Sequence, residues 1–171
     1  NKKKVASIGT LGIKSKKFKK NLSNTTIDPI QLSIILSNLK KQNINNVIME
    51  ASSHGLSQNR LDGLFFNTGI FTNLSQDHLD YHKNMKDYLK AKTYLFEQLI
   101  KKNGNIITDE KISEYKQIKK IASNKNLNLF SLLDKKNNFQ FLSHQFENEA
   151  QLLKIKYNNL IHKIKLNLIG K

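Results

Sequence analysis

Two short apolar runs, residues 45–50 and 69–74, do most to limit what this chain can fold into. Neither alternates with polar residues, which is the pattern of strands buried on both faces of a parallel sheet. The first ends in Glu50-Ala51-Ser52-Ser53-His54, and the second leads into Ser75-Gln76-Asp77-His78-Leu79-Asp80-Tyr81-His82. An open parallel α/β sheet collects its ligands at the carboxyl ends of its strands, so both clusters are expected along one edge.

The flanking segments fit that plan. Residues 5–8 read as a strand and 9–15 as a strand-to-loop turn. Gly9, Gly12 and the Lys14-Ser15 pair could suggest a phosphate loop, but the spacing is wrong. The lysine-rich stretch that follows also lacks the apolar period of the helix such a loop needs. Asp28-Pro29 opens a helix with a capping carboxylate and a proline at its first position, and Leu32, Ile35, Leu36 and Leu39 recur at helical spacing. A second helix is expected over 84–102, with Met85, Tyr88, Leu89, Leu95, Phe96 and Leu99 as its apolar stripe. Lys92 falls on that stripe, where a lysine must snorkel, find a partner or change its chemistry. Asn103-Gly104 is expected to end this helix, followed by a strand over 105–108 and a helix over 111–123. Beyond Leu127 the pattern changes: 153–157 and 164–168 alternate strictly about Asn158-Asn159, a half-exposed antiparallel hairpin, and 139–142 adds a strand.

The expected fold class is therefore α/β, a mostly parallel sheet flanked by helices, with a small antiparallel β appendage. At 171 residues nothing demands a second domain. The α/β body is expected over about 1–126 and the appendage over about 127–171 of one domain. Absence of cysteine excludes disulfides and thiolate metal sites and fits a reducing compartment. No apolar run approaches a membrane span, and no signal-peptide core follows the basic start, so a cytoplasmic location without membrane partners is expected.

A formal net charge of +16 raises nucleic-acid binding as a reading. The lysines are scattered through every segment without interleaved aromatics, so solvated surface is favoured. Arg60 is the only arginine. Its guanidinium offers carboxylate or phosphate a fixed fork that lysine cannot imitate.

Ser52, Ser53 and His54 are contiguous and there is no nucleophile elbow, which argues against a serine hydrolase. Glu50 ends an apolar strand, where a carboxylate tends to be paired or metal-bound. Asp77, His78, Asp80 and His82 form an oxygen-rich cluster suited to a hard Mg²⁺ ion, and a metal-dependent hydrolase built on them is an alternative reading.

The run Met49-Glu-Ala-Ser-Ser-His-Gly-Leu-Ser-Gln-Asn-Arg60, then Phe71-Thr-Asn-Leu-Ser-Gln-Asp-His-Leu-Asp-Tyr-His82, then Tyr88-Leu-Lys-Ala-Lys92, resembles the central ATP-binding domain of the Mur ligases. The likeness runs in order from Asn24 to Lys92. It is greatest to the branch that adds a diamino acid, as third peptide residue, to UDP-N-acetylmuramoyl-L-alanyl-D-glutamate. The resemblance implies a phosphate-loop-type fold and an ATP-dependent ligase working through an acyl phosphate, with Mg²⁺ and ATP as cofactors. Its partners would be the UDP-muramoyl dipeptide and a diamino acid, not nucleic acid, and the protein would be monomeric. Asn24, Thr25, Thr26, Ser52, Gln58 and Arg60 match contacts to the muramoyl dipeptide. Glu50 and His78 match magnesium-holding residues, and Lys92 matches a lysine carried as N6-carboxylysine, a further metal ligand. A buried amine loses its proton more readily, and only the neutral amine adds CO₂. These three, Lys92, His78 and Glu50, are the expected catalytic residues. The family's own phosphate loop and C-terminal domain are not found within the chain, so it reads as an interior piece of that central domain, inactive alone.

Overall fold

The computed structural model describes residues 4–16, 19–75, 81–131, 139–147 and 150–167. The chain forms two compact units, Asn1–Phe66 with Leu74–Lys101, and Asn67–Asn73 with Lys102–Lys171.

In the first unit, β1 (Val5–Gly9) turns directly into β2 (Gly12–Ser15), and β3 (Lys19–Lys20) follows. The segment 9–15, expected as a loop, is thus an antiparallel hairpin with Gly9 opposite Gly12. Gly12 has φ +79°, and a Cβ there would collide with the Lys20 carbonyl, so a glycine is what lets the chain turn and β3 approach. Helix α1 (Pro29–Lys41) starts as expected: Asp28 caps it, accepting from the Gln31 backbone N–H at 3.0 Å. Its Leu32 and Leu39 are buried, and Ile35 and Leu36 pack beside them. Burial of each such leucine contributes about 2 kcal/mol.

Strand β4 (Asn46–Met49) pairs parallel with β1, and the sheet order is β3-β2-β1-β4. Parallel pairs therefore account for one junction of this sheet and the hairpin strands are antiparallel. Helix α2 (Ser53–Ser57) follows β4. The core of this unit gathers Ala6, Ile8, Ile13, Ile27, Leu32, Leu39, Ile44, Leu56, Leu61 and Leu99.

Strand β5 spans Phe66–Ile70, earlier than the run 69–74 suggested. Helix α3 (Met85–Tyr94) is capped by Asn84, whose side chain accepts from Asp87 N–H at 2.9 Å, and passes into a π-helical turn over Leu95–Leu99. Phe96 and Leu99 of this turn are both buried. The helix therefore ends sooner than 102. β6 begins at Ile100 and runs to Thr108, and Asn103, at φ +60°, bends this strand instead of stopping a helix. Helix α4 (Tyr115–Asn124) starts later than 111, because Asp109 turns the chain first by accepting from Lys111 N–H at 2.9 Å.

In the second unit, β7 (Asn128–Ser131) pairs parallel with β6 in the order β5-β6-β7, and Ile118, Ile121 and Ala122 of α4 are buried. Strands β8 (Phe139–Glu147), β9 (Ala150–Tyr157) and β10 (Leu160–Leu166) form the expected antiparallel sheet. Asn158 and Asn159 turn the β9–β10 hairpin with φ of +47° and +65°. No described helix is long and apolar enough to cross a membrane.

Candidate functional site

Parallel pairing sets the site. Ile8 lies opposite Met49, so β1 and β4 end side by side, and the Glu50 N–H donates to the Ile8 carbonyl at 2.9 Å. The hairpin turn then lays Thr10 against Glu50. Both the Thr10 backbone N–H, at 2.9 Å, and its hydroxyl, at 2.7 Å, donate to Glu50 Oε2. These two bonds, the backbone one first, hold the Glu50 carboxyl below its ordinary value of 4.5, against a slight opposing effect of burial. Glu50 is exposed and is paired, with Thr10, as a carboxylate ending an apolar strand tends to be.

A second hydroxyl joins this one: Thr25 Oγ1 lies 3.0 Å from Thr10 Oγ1. With the Thr10 proton committed to Glu50, Thr25 is the donor. Its neighbour Thr26 is buried, 3% exposed. Thr26 Oγ1 donates to the Glu50 carbonyl at 3.2 Å and accepts from Ser52 N at 2.9 Å and Ser52 Oγ at 3.0 Å.

Ser52 and Arg60 flank α2. Ser52 is its N-cap, accepting from Gly55 N–H at 3.1 Å. At the other end Asn59 takes a left-handed φ of +54°, with Asn59 N–H bonded to the Leu56 carbonyl at 3.1 Å and Arg60 N–H to the Gly55 carbonyl at 2.9 Å. This is a Schellman ending with asparagine in the glycine position. It turns the chain so that Arg60 reaches back, and Arg60 Nη1 donates to the Thr26 carbonyl at 2.6 Å.

Gln58 is exposed and donates through Nε2 to the Tyr81 hydroxyl at 3.0 Å. From there a series of rings runs through the unit. His54 packs on Tyr81 at 3.9 Å between centroids, Tyr81 meets His82 edge-on at 4.9 Å, and His82 stacks on Tyr88 at 5.0 Å and 19°. Lys92 Nζ lies 5.0 Å from the Tyr88 ring centroid. Lys92 is half-buried, between buried Ala91 and Thr93. Tyr94 ties α3 to the loop after α2, its hydroxyl donating to both Asp62 carboxylate oxygens at 3.0 and 3.1 Å. That bond holds the Tyr94 pKa above its ordinary value.

The structure thus joins Glu50, Thr25, Thr26, Ser52 and Arg60 through hydrogen bonds, leaves Asn24 exposed beside them in sequence, and links Gln58 to the ring series that reaches Lys92. Asp77, His78 and Asp80 lie outside the described residues. His82, the fourth member of the suggested hydrolase cluster, is 5% exposed and packed among rings. Among the described residues no three His, Asp or Glu side chains form a metal-holding group. Thr10 was missed by sequence reasoning, although it is the first polar residue after an apolar strand, as Glu50 is after its own.

The Mur ligase middle domain family matches residues 1–171. A Zymomonas mobilis protein named UDP-N-acetylmuramoyl-L-alanyl-D-glutamate--2,6-diaminopimelate ligase is 35% identical over 167 residues, 98% of this chain and 34% of that protein. A Buchnera aphidicola protein of the same name is 52% identical over 96 residues, 56% of this chain and 19% of that protein. The chain therefore spans about a third or less of the length of these relatives. Among solved structures, one of a ligase of that name matches with TM-score 0.80 and 25% identity, covering 98% of this chain and 34% of the other. A mutant of L. casei FPGS shares the fold, with TM-score 0.70 and 10% identity over 99% of this chain and 48% of its own. Matched from its first residue to its last, the chain belongs to the Mur ligase family through that family's middle domain.

Proposed function

We propose that this chain is the central segment of an ATP-dependent ligase of peptidoglycan precursor synthesis, with the phosphate-loop-type fold of that domain, acting in the cytoplasm as a monomer. It adds a diamino acid to UDP-N-acetylmuramoyl-L-alanyl-D-glutamate. The names of its relatives favour 2,6-diaminopimelate as that amino acid. The observation that carries the reading is the hydrogen-bonded group at the ends of β1 and β4, where an ionised carboxylate sits beside the hydroxyls and guanidinium that match the family's substrate contacts.

Glu50 suits a hard divalent cation. It is exposed and held ionised, and among the described residues only its Oε2 is committed to hydrogen bonds. Glu50, His78 and Lys92 as N6-carboxylysine are the proposed holders of Mg²⁺, which when bound neutralises charge on the phosphoryl group being transferred. Asn24, Thr25, Thr26, Ser52, Gln58 and Arg60 are the proposed contacts to the muramoyl dipeptide. They orient its free carboxylate so that an oxygen attacks the γ-phosphorus of ATP and ADP leaves. The amine of the diamino acid then attacks the acyl carbon, phosphate leaves, and the amide forms. The family match and the burial of His82 leave the hydrolase and nucleic-acid readings without favour.

The test is turnover by the full-length protein. Phosphate release should require ATP, Mg²⁺, the UDP-muramoyl dipeptide and a diamino acid together; release in the absence of the dipeptide would contradict the assignment.

A further inference from the structure

Strict alternation in β9 and β10 does more than form a hairpin. Lysines stand at every second position, Lys154 and Lys156 in β9 and Lys163 and Lys165 in β10. Alternate residues of a strand share a face, and residues directly opposite in an antiparallel pair share it too. The register sets Lys154 opposite Lys163, Lys156 opposite Ile161 and Lys165 opposite Leu152, so all four lysines lie on one face of the sheet. Charges that are scattered along the chain are here gathered by strand pairing. Residues 151–171 contain no aspartate or glutamate to offset them. On β8 the positions across from Lys156 and Lys154 are Gln140 and Ser143, both uncharged, and Glu147 stands across from Ala150, at the end far from the β9–β10 turn.

Like charges directly opposite each other destabilise a strand pair, so Lys154 and Lys163 weaken the hairpin they belong to. Only a negative surface brought against this face offsets that repulsion. The tip of the hairpin has a different chemistry. Asn158 and Asn159 make the turn, and around it Tyr157, Leu160 and Ile161 are 50%, 66% and 59% exposed. Among the described residues the lysine face carries no arginine fork to read bases and no aromatic ring to stack on them, which disfavours nucleic acid. An anionic lipid surface suits both parts. Its headgroups attract the lysines, while a tyrosine and two aliphatic side chains enter the boundary between headgroups and acyl chains.

We propose that the β9–β10 hairpin docks on an anionic lipid surface, with its lysine face toward the headgroups and its tip entering the interface. It lies on the membrane and does not span it. The hairpin shares no residue with the ligase site proposed above, so either can fail without the other. Vesicle binding without turnover sinks the ligase reading alone, and turnover without vesicle binding sinks this one.

The experiment is cosedimentation of the full-length protein with vesicles, one set of equimolar phosphatidylglycerol and phosphatidylcholine and another of phosphatidylcholine alone. The wild type should pellet with the first and not with the second. Raising the salt from about 0.1 M to about 1 M shortens the screening length from about 10 Å to about 3 Å and should release it. Each lysine near an anionic surface strengthens binding about fivefold, so Lys154→Gln combined with Lys163→Gln should weaken partitioning by more than about tenfold. The same double variant should melt no lower than the wild type, because it removes a repulsion. Should it fold poorly, Lys156→Gln combined with Lys165→Gln, neither of which faces another lysine, carries the same test. Ile161→Ser should weaken vesicle binding and leave its salt dependence as in the wild type. No pelleting of the wild type with the anionic vesicles, equal pelleting with both sets, or equal pelleting of wild type and lysine variants would overturn the proposal. Tighter binding to duplex DNA than to the anionic vesicles, unchanged by Ile161→Ser, would overturn it in favour of a nucleic-acid surface.

Discussion

Replacing Arg60 by methionine keeps an unbranched apolar stem and removes the guanidinium, which isolates the bond from Nη1 to the Thr26 carbonyl. That bond is 2.6 Å long, joins a charged donor to a carbonyl on a buried residue, and comes from a half-buried side chain. Fully buried hydrogen bonds to charged groups contribute about 1.5–3 kcal/mol, and partial access of water to Arg60 favours the lower end. A loss of about 1.5 kcal/mol is close to tenfold in a local opening equilibrium. Because the chain forms two compact units, one global melting temperature would blur the effect. Amide hydrogen exchange followed by mass spectrometry resolves it. Protection over residues 24–27 and over α2 should fall about tenfold, while protection over β6, α4 and β7 stays as in the wild type. Unchanged protection at α2, or an equal fall in both units, would refute the argument that this bond anchors the helix.

Three further outcomes follow from particular contacts. Thr10→Val removes the hydroxyl donor to Glu50 and keeps the larger backbone one, so the Glu50 pKa should rise part of the way back toward 4.5 in a ¹³C carboxyl titration. Because the folded value is depressed, the contact's contribution is present above the unfolded pKa and disappears as pH falls through the folded one; the variant should lose it at a higher pH, and an unmoved titration would contradict the geometry. Lys92→Ala in the full-length protein should abolish ligase turnover and be partly rescued by added short carboxylic acids, so wild-type rates in the variant would refute the carbamate role. Asn159→Val places a β-branched residue at φ +65° and should destabilise the β9–β10 hairpin by about 1–2 kcal/mol, read as faster amide exchange in β10.

The elements that could be read in advance are those whose cause is local. Asp28-Pro29 and the leucine spacing of α1 set that helix within a single turn of chain, and the structure has it at Pro29–Lys41. Strict alternation about Asn158-Asn159 likewise leads to a hairpin, because two consecutive asparagines tolerate the positive φ angles of its turn. Boundaries moved where a neighbour intervened. The helix expected to reach 102 gives way to a π-helical turn over Leu95–Leu99 and then to β6, which pairs with β7. The segment 9–15 pairs back on β1 because β1 offers a free edge on the side away from β4.

The candidate site divides along the same line. Chain order alone identified the residue types, with Glu50, Ser52 and Arg60 grouped after one apolar strand and a solitary arginine among lysines, since a strand's end and a guanidinium's fork are properties of short segments. What those residues do to one another depended on pairing between distant stretches. Thr10 meets Glu50 across forty positions and Thr26 meets Arg60 across thirty-four, so no local pattern could reveal either bond. The polar cluster therefore has its composition from the sequence and its wiring from the sheet: parallel register brings two strand ends together, and only then can their hydroxyls, carboxylate and carbonyls share protons.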